Sequence, residues 1–406
     1  MAFHEYESML DRPTNLKISD FSYNERLLHV ILSAQFDQKM LNKLIRTADR
    51  IRALAKSKEG SQFLNSLLSH KRALLYFTQP STRTFLSFAA ACQTLGMAIQ
   101  SVQDVSLSSE AKGETAFDSV RMFSSYYDMV IMRSVTPNLA ECCAYMMNEL
   151  GRDSRRNTPI INAGAGADEH PTQALLDIYT IERAMSFFSP KDSSQGTLYE
   201  QLRGQYPDLS KGLDGKTIGF CGDIRRGRTV RSLITLLAKY KDVKLYFITA
   251  NHEMLALSND MKDRLLKQFT EVREFESFED DLDGEPVINS LDCLYMTRIQ
   301  KEHNSNNLDE DFGQIDFSKY KLTRDRVAAM REYAVILHPF PRDSDFGEIP
   351  TEIDNDKRAH YFRQARNGMW ARAALISHIF DVDGSVADFY DAYTLDKKDY
   401  NESVLG

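Results

Sequence analysis

Short runs of apolar residues alternate along the chain with longer stretches in which apolar residues recur every three or four positions. The first pattern predicts a buried strand and the second predicts an amphipathic helix. The runs predicted as strands are residues 73–77, 97–102, 127–133, 159–162, 216–221, 243–248, 293–296 and 335–337. Because strands and helices alternate, we expect an α/β fold with doubly wound parallel sheets.

The alternation stops between residues 184 and 215, which are polar and rich in turn-forming residues, and then restarts. This stretch predicts a domain boundary or a surface insertion beside one. Within residues 1–33 we expect one regular element, Leu27–Leu32. Residues 36–58 predict an amphipathic helix on the core. The last segment, 381–406, predicts an acidic, mobile tail.

Composition narrows the class of protein. The 406 residues exceed the usual size of one domain. The net charge of −8 (50 Lys and Arg, 58 Asp and Glu) disfavours nonspecific binding of nucleic acid. Residues 1–7 lack the pattern of a signal peptide, and no apolar run has the length of a membrane span. The five cysteines form no C-x-x-C pair, so we expect reduced core residues in a cytoplasmic protein.

The first candidate site follows the predicted strand 73–77. Ser81, Thr82, Arg83 and Thr84 open the next predicted helix. Free N–H groups at a helix start, three hydroxyls and one guanidinium suit a tetrahedral dianion such as phosphate. An ordinary capped helix with a surface arginine is the alternative.

Other polar side chains follow the ends of predicted strands in the same way. Arg133 ends the strand 127–133, and His170 and Gln173 follow the strand 159–162 at the start of another helix. In open parallel sheets, ligands bind outside the carboxyl ends of the strands. We therefore expect these side chains near a ligand, although each alone could be an ordinary surface or structural residue.

The second half repeats this arrangement. Residues 222–229 follow a strand and contain Asp223 with three arginines, which suggests a site for a second anionic group. Arg298 and Gln300 follow the strand 293–296 and are expected on one face. The last strand ends in His338-Pro339-Phe340-Pro341-Arg342, where the prolines stiffen the loop and leave carbonyl groups without helix partners.

Taken in order, these motifs resemble the catalytic chain of the aspartate carbamoyltransferase family. The resemblance covers about residues 70–376 and rests on 81–84, Lys112-Gly113-Glu114, Arg133, 170–173, 222–229, 295–302 and 338–342. It implies two α/β domains: 1–183 for carbamoyl phosphate, completed by the C-terminal helix 357–380, and 184–356 for aspartate. It also implies two helices that join the domains, the one after Pro171 and the one from Tyr361.

The resemblance assigns roles to the residues. Those implied for carbamoyl phosphate are Ser81, Thr82, Arg83, Thr84, Ser108, Arg133, His170, Gln173, Pro339, Phe340 and Pro341. Those implied for aspartate are Lys112, Arg228, Arg298 and Gln300. Arg83, Thr84, Arg133 and His170 are the implied catalytic residues, and the resemblance implies no metal and no cofactor.

The family assembles as a trimer, so the resemblance implies a homotrimer in which the loop with Ser108 and Lys112 reaches into a neighbouring subunit's site. A regulatory or pathway-enzyme partner is left open. The sequence departs from the family at Gln79, which replaces a usual Glu, and at Phe85, Ala165 and Phe340. Two alternatives remain: transfer to another amino acid such as ornithine, whose enzymes carry His-Cys-Leu-Pro in place of residues 338–341, and a non-catalytic relative.

Overall fold

The computed structural model describes residues 3–104, 113–154, 157–165, 169–185, 205–207, 209, 212–252, 255–298, 315–343 and 347–405. The chain divides into two compact units. Unit 1 comprises Met1–Leu176 and Arg366–Gly406, and unit 2 comprises Asp177–Ala365. The division falls inside two long helices, Pro171–Met185 and Tyr361–Ile379, which are the two joining helices that the resemblance implied. The boundaries at 183/184 and 356/357 stay predictions.

Unit 1 contains a parallel sheet with the strand order β4-β3-β5-β6. Its strands are β3 (Arg72–Phe77), β4 (Ala98–Val102), β5 (Met129–Arg133) and β6 (Ile160–Asn162), after a short antiparallel pair β1 (Ser22–Tyr23) and β2 (Arg26–Leu27). All five residues of β5 and five of the six in β3 are buried. Strands covered on both faces need apolar side chains on both, which is why these runs are continuous in the sequence.

In the described residues, eight helices begin in unit 1 before the chain enters unit 2. They are α1 (Phe3–Glu7), α2 (Thr14–Asp20), α3 (Gln38–Leu54), α4 (Lys58–Leu67), α5 (Thr82–Thr94), α6 (Ala116–Phe123), α7 (Leu139–Ser154) and α8 (Pro171–Met185). The amphipathic helix expected within 36–58 is confirmed as α3, whose apolar face, including Leu41, Leu44 and Ile51, is buried.

The prediction for residues 1–33 was wrong, because the expected element Leu27–Leu32 does not form: Leu27 ends β2, and Val30 makes only an isolated bridge to Ile161. The elements that form there are α1, α2 and the β1–β2 pair. The helix α1 has five residues, too few for a helical period to be read from its sequence. Its Tyr6 is buried, and the Tyr6 ring lies 5.5 Å from that of Phe117. Tertiary packing therefore stabilises this element.

Unit 2 contains a five-stranded parallel sheet with the order β13-β12-β7-β8-β9. Its strands are β7 (Thr217–Cys221), β8 (Lys244–Ile248), β9 (Glu271–Phe275), β12 (Cys293–Met296) and β13 (Val335–Leu337), and β10 (Asp281–Leu282) and β11 (Glu285–Pro286) form a separate hairpin. The sequence missed β9, because Glu271, Arg273 and Glu274 interrupt its apolar pattern. Charged residues are common on edge strands such as this one.

The helices of unit 2 cover its sheet, and two more helices end the chain. They are α9 (Arg228–Leu237), α10 (Asn259–Leu266), α11 (Arg324–Ala329), α12 (Tyr361–Ile379) and α13 (Asp383–Leu405). The expectation of a mobile tail at residues 381–406 was therefore wrong, since the helix α13 occupies most of that segment. Its first half packs on unit 1: the Phe389 ring stacks 3.9 Å from that of Phe63, and the Asp383 carboxylate pairs with Lys43.

All five cysteines are free and buried, as the sequence predicted. They are Cys92, Cys142, Cys143, Cys221 and Cys293. Burial raises the pKa of Cys92 to about 12 and raises that of Cys143 and Cys293 above its ordinary value. These thiols are therefore protonated and act as small apolar core residues.

Candidate active site

The chain leaves β3 at Phe77 and enters α5 at Thr82. Ser81 occupies the N-cap position of α5, but its side chain makes no capping hydrogen bond. By contrast, the side chains of Ser57 and Thr115 accept hydrogen bonds at the starts of α4 and α6. The ordinary capped helix that the sequence left open does not form at Ser81. The first N–H groups of α5 are thus left uncapped by this side chain, as an anion site at a helix start requires.

Arg133 lies at the end of the strand next to this helix start. It ends β5 and is the register partner of Phe77, and its carbonyl accepts a hydrogen bond of 3.1 Å from the Gln79 N–H. Arg133 is 9% exposed, and its Nη1 donates to the Ala163 carbonyl at 3.3 Å. The structure therefore brings a buried guanidinium and the segment 78–84 together at the carboxyl edge of one sheet, as predicted.

His170 follows the next strand, β6, and is 4% exposed. Its carbonyl accepts hydrogen bonds from the N–H groups of Gln173 at 3.0 Å and Ala174 at 3.2 Å, so it forms the start of α8. Its ring packs against Gly164, where a Cβ would lie 2.5 Å from the ring carbon Cδ2. Gly164 also has a φ of +91°, a backbone conformation that is unfavourable for residues with a Cβ atom. The glycine therefore gives the histidine ring room beside the backbone.

Asn162 fixes the loop that carries this glycine, and the sequence did not single it out. Its Oδ1 accepts hydrogen bonds from the N–H groups of Gly164 at 2.8 Å and Ala165 at 3.2 Å. Its Nδ2 donates to the carbonyl of Glu169 at 3.0 Å. One amide thus connects the end of β6 with the residue before His170. The available signal was an Asn before a Gly-rich loop, since Asn side chains often bond the backbone two residues on.

In unit 2, three adjacent strands deliver the corresponding residues. Arg228 is the first residue of α9, after β7, and Gly227 at the N-cap has no side chain to cap the helix. Arg226 has another role, because its Nη2 lies 2.7 Å from Oδ2 of the buried Asp223. Of the three arginines that suggested an anion site, this one neutralises a carboxylate of its own loop.

Arg298 follows β12, which pairs with β7. The Thr297 N–H donates to the Cys221 carbonyl at 2.8 Å. Gly222 has φ of +111°, and a Cβ there would lie 2.3 Å from the Thr297 carbonyl oxygen. A glycine is therefore required where the two strand ends meet, and it allows Arg298 to leave the sheet beside the loop of Arg228.

The loop after β13 is held by its own histidine. Nδ1 of His338 accepts a hydrogen bond of 2.8 Å from the Phe340 N–H, so the ring proton belongs on Nε2. Nε2 lies 2.8 Å from the buried carboxylate of Glu348. Phe340 has φ of +56°, an uncommon conformation for a bulky residue. Such a conformation persists only where the surroundings fix it.

Arg342 fixes the far end of this loop. Its guanidinium pairs with both carboxylate oxygens of Asp354, at 2.6 and 3.2 Å. It also lies 5.4 Å from the ring of Tyr361, 5.5 Å from that of Phe362 and 6.0 Å from that of Phe340. A bidentate ion pair and contacts with three rings therefore hold the segment that contains Pro339, Phe340 and Pro341.

A buried polar chain supports the same loop from inside unit 2. The Tyr295 hydroxyl donates to Asp177 at 2.9 Å, and Nε2 of Gln364 donates to the other oxygen of that carboxylate at 2.6 Å. The Gln364 Oε1 then accepts from the His338 N–H at 2.8 Å. Burial and the Asp177 carboxylate raise the pKa of Tyr295 above its ordinary value, so the hydroxyl keeps its proton and donates.

Three residues of the expected site, Ser108, Lys112 and Gln300, lie outside the described residues. Their roles stay predictions. Within the described ranges, no group of three or more His, Cys, Asp and Glu side chains could hold a metal ion. No helix in those ranges combines the length and the apolar character needed to cross a membrane.

Comparisons with known proteins agree with this arrangement. Residues 28–183 match the family model described as "Aspartate/ornithine carbamoyltransferase, carbamoyl-P binding domain", and residues 214–379 match "Aspartate/ornithine carbamoyltransferase, Asp/Orn binding domain". Aspartate carbamoyltransferase 1, chloroplastic, of Pisum sativum is 36% identical over 86% of this chain and 77% of its own length. The aspartate carbamoyltransferase catalytic subunit of Clostridium novyi is 33% identical over 86% of this chain and 96% of its own.

Solved structures give the same result. The catalytic subunit of the aspartate transcarbamoylase of M. jannaschii superposes with a TM-score of 0.69 at 30% identity, over 87% of this chain and 98% of that one. The Trypanosoma cruzi aspartate transcarbamoylase in complex with carbamoyl phosphate and aspartate has a TM-score of 0.69 at 28% identity, over 86% and 96%. The family models match both halves of the sequence, and the chain belongs to the aspartate/ornithine carbamoyltransferase family.

Proposed function

We propose that this chain is an aspartate carbamoyltransferase of de novo pyrimidine synthesis. It transfers the carbamoyl group of carbamoyl phosphate to the amine of L-aspartate and releases N-carbamoyl-L-aspartate and phosphate. The observation that carries the proposal is the pair of cation sets at the carboxyl edges of the two sheets. Unit 1 offers Arg83 and Arg133 beside an uncapped helix start, and unit 2 offers Arg228 and Arg298. The names of the relatives agree with this reaction.

Carbamoyl phosphate is assigned to unit 1. Its phosphate suits the N–H groups at the start of α5, the hydroxyls of residues 81, 82 and 84, and the guanidinium groups of Arg83 and Arg133. Thr84, Arg133 and His170 are assigned to polarise the carbamoyl carbonyl. Gln173 and the carbonyls of the loop 339–341 accept hydrogen bonds from the carbamoyl NH2. Ser108 and Lys112 complete the phosphate site in this proposal.

Aspartate is assigned to Arg228 and Arg298, joined by Gln300 and Lys112. Two planar guanidinium groups suit two carboxylates, because each can form a bidentate pair. Ornithine has one carboxylate and an additional cation, so it would leave one arginine unpaired and be repelled. The loop 338–341 also carries Pro339 where ornithine-type relatives carry Cys.

The chemistry needs few groups from the protein. The neutral amine of aspartate attacks the carbamoyl carbon, and a new C–N bond forms as the carbonyl oxygen gains negative charge. Arg133, Thr84 and His170 stabilise that oxygen. The C–O bond to phosphate then breaks, the nitrogen passes a proton to the departing phosphate, and the surrounding cations neutralise that leaving group. No covalent enzyme intermediate is needed, because carbamoyl phosphate is already an activated donor. Holding two anions together against their repulsion supplies much of the rate.

A homotrimer with shared active sites is part of the proposal. It rests on the resemblance to the trimeric catalytic chains of the family. A cytoplasmic location is also part of the proposal, whereas the names of the plant relatives place those proteins in the chloroplast.

The test is an assay of carbamoyl transfer with aspartate and with ornithine at equal concentrations. We expect N-carbamoyl-L-aspartate and phosphate in equal amounts, and no citrulline. Citrulline as the main product would show that ornithine is the acceptor. Absence of both products from folded protein that still binds carbamoyl phosphate would show a non-catalytic relative.

A further inference from the structure

A groove of about 630 Å³ lies in unit 1 between α3 and the first turn of α13. None of the residues assigned to carbamoyl phosphate or aspartate lines it. Its walls carry Lys39, Lys43, Arg46 and Arg50 from α3, and Asp383 from α13. The lining therefore holds four cations and one carboxylate, in a chain whose net charge is −8.

The four cations lie along one face of α3. Their positions differ by four, three and four residues, which is the spacing of neighbours on a helix surface. At about 1.5 Å of rise per residue, consecutive cations are separated by about 4.5–6 Å along the axis. Charges at this spacing can contact adjacent anionic groups of one small ligand.

Two of these cations are already paired with α13. Lys43 lies 2.5 Å from Asp383, and Arg50 lies 3.5 Å from Asp391. Lys39 and Arg46 are exposed and form no ion pair with any carboxylate of the described ranges. The acidic start of α13 thus accounts for half of the basic face of α3.

Asp383 cannot neutralise the remaining cations. Its carboxylate is 1% exposed and is shared by Lys43, by Arg26 at 3.4 Å and by Nδ1 of His378 at 3.1 Å. These partners occupy its oxygens and hold it in place. The surplus charge of Lys39 and Arg46 therefore remains for a ligand.

The rest of the lining is polar. Gln38, Asn42 and Thr47 supply amide and hydroxyl groups, and Ala387 is the one apolar side chain among the residues that line the groove. Such a lining suits a charged, hydrogen-bonding ligand, and its volume is in the usual range for small-molecule sites. The overall negative charge of the chain disfavours an extended polyanion such as nucleic acid.

We propose that this groove binds a small molecule that carries a diphosphate group. Asp383 and Asp391 offset two of the four cations, so the groove keeps a charge of about +2 on Lys39 and Arg46, opposite in sign to the charge of about −3 on a diphosphate near neutral pH. Arg46 offers a planar fork to one phosphate, and Lys39 and Lys43 offer point charges. The ligand could be free pyrophosphate or a nucleoside diphosphate, which share this group.

The test is titration calorimetry on the full chain with inorganic pyrophosphate and, in a second arm, adenosine diphosphate. Because pyrophosphate can also enter the proposed phosphate site, both arms are repeated in the Arg83→Ala variant. The test variant is Lys39→Glu with Arg46→Glu. The matched control is Arg52→Glu with Lys58→Glu, which changes the net charge equally at two cations that do not line the groove. Lys39→Gln with Arg46→Gln is a second test variant without reversed charge.

We expect one binding event per chain that persists in Arg83→Ala and in the control. Both test variants should raise the dissociation constant at least tenfold for either ligand, while keeping the melting temperature and carbamoyl transfer of the parent. Equal weakening in the control would show diffuse charge attraction and overturn the proposal. It would also be overturned if binding disappeared only in Arg83→Ala, or if no ligand bound at 1 mM. A failed carbamoyl-transfer assay would leave the groove result unaffected.

Discussion

Arg83 and Arg133 are assigned to the same phosphate, but the chain holds them differently. Arg133 is buried and bonds the Ala163 carbonyl, so it also contributes to the fold of unit 1. Arg83 is exposed on the first turn of α5. A loss of activity on replacing Arg133 would therefore have two possible causes, a missing substrate contact or a less stable fold. Arg83 is the better probe of the phosphate site.

We predict that Arg83→Ala lowers kcat/KM by about 100- to 1000-fold, the usual effect of removing one preorganised donor from developing charge. The melting temperature should stay within about 2 °C of the parent, because the side chain is exposed. Steady-state kinetics and circular dichroism measure the two quantities. Arg72→Ala is the matched control, since Arg72 is an exposed arginine at the other end of β3. A variant of Arg83 with parent-like turnover would remove the phosphate assignment.

For the aspartate site, we predict that Arg298→Ala raises the KM for aspartate and lowers kcat, with a loss of about 2–5 kcal/mol in transition-state binding. The dissociation constant for carbamoyl phosphate should change less than twofold, because the phosphate ligands are elsewhere. Arg264→Ala, an exposed cation on α10 of unit 2, is the control. Equal weakening for both substrates would contradict the assignment of one substrate to each unit.

The sequence predicted the residues that would contact substrate, but not the residues that hold them. Ser81, Arg133, Arg228 and Arg298 follow apolar runs, and strand ends are readable from one segment alone. The partner of His338 is ten residues further along, and Asn162 acts through backbone bonds that its own segment does not reveal. Such contacts depend on how separate segments fold together.

At the scale of elements, periodicity predicted well where an element is buried on a full face. The strands β3, β5, β7 and β12 and the helix α3 have long apolar patterns, and each forms near its expected bounds. Periodicity did not predict α13, whose sequence is polar and acidic. This helix is held by a few specific contacts, the Phe63–Phe389 stack and the pairing of Asp383, which no period in its own sequence encodes.

Asp383 gives a prediction about this helix. Burial opposes its charged form, but hydrogen bonds from His378 and Lys43 outweigh burial and lower the pKa of Asp383 well below its ordinary value. A lowered pKa means that the carboxylate stabilises the fold above its unfolded pKa of about 4, and that the benefit is lost as pH falls further. Asp383→Asn should therefore cost about 2–3 kcal/mol at pH 7.

The measurement is the melting temperature of parent and variant between pH 3.5 and 8. The difference should be largest above about pH 5 and should shrink as pH falls below about 4. Asp391→Asn is the matched control on the same helix, because Asp391 is 60% exposed and pairs with Arg50 at 3.5 Å, so it should cost less than about 1 kcal/mol. A constant difference at all pH values would mean that the charge of Asp383 does not stabilise the fold.

At the scale of the whole molecule, the two units resemble each other in where they place cations. Each sheet is parallel, each delivers arginines at its carboxyl edge, and in each unit one such residue is at a helix start without a side-chain cap. Alternation of strands and helices predicts this arrangement within each unit. The same alternation does not predict how several chains assemble, because self-association depends on surface complementarity that one sequence does not reveal. The shared site therefore rests on the family resemblance and needs a test of its own.

That test is complementation between two inactive variants, Lys112→Ala and His170→Ala. In a trimer whose sites combine Lys112 of one subunit with His170 of its neighbour, every mixed trimer contains one site with both residues intact. Random exchange at equal concentrations should therefore restore about a quarter of the parent activity, by the symmetry of a three-membered ring. If Lys112 serves its own chain, no site in any mixture is intact and the activity stays at zero. Arg133→Ala mixed with His170→Ala is the control, because both residues are assigned to the same chain's part of the site and no mixture should recover. Native mass spectrometry of a tagged variant confirms that subunits exchange, so that a negative result counts against the shared site.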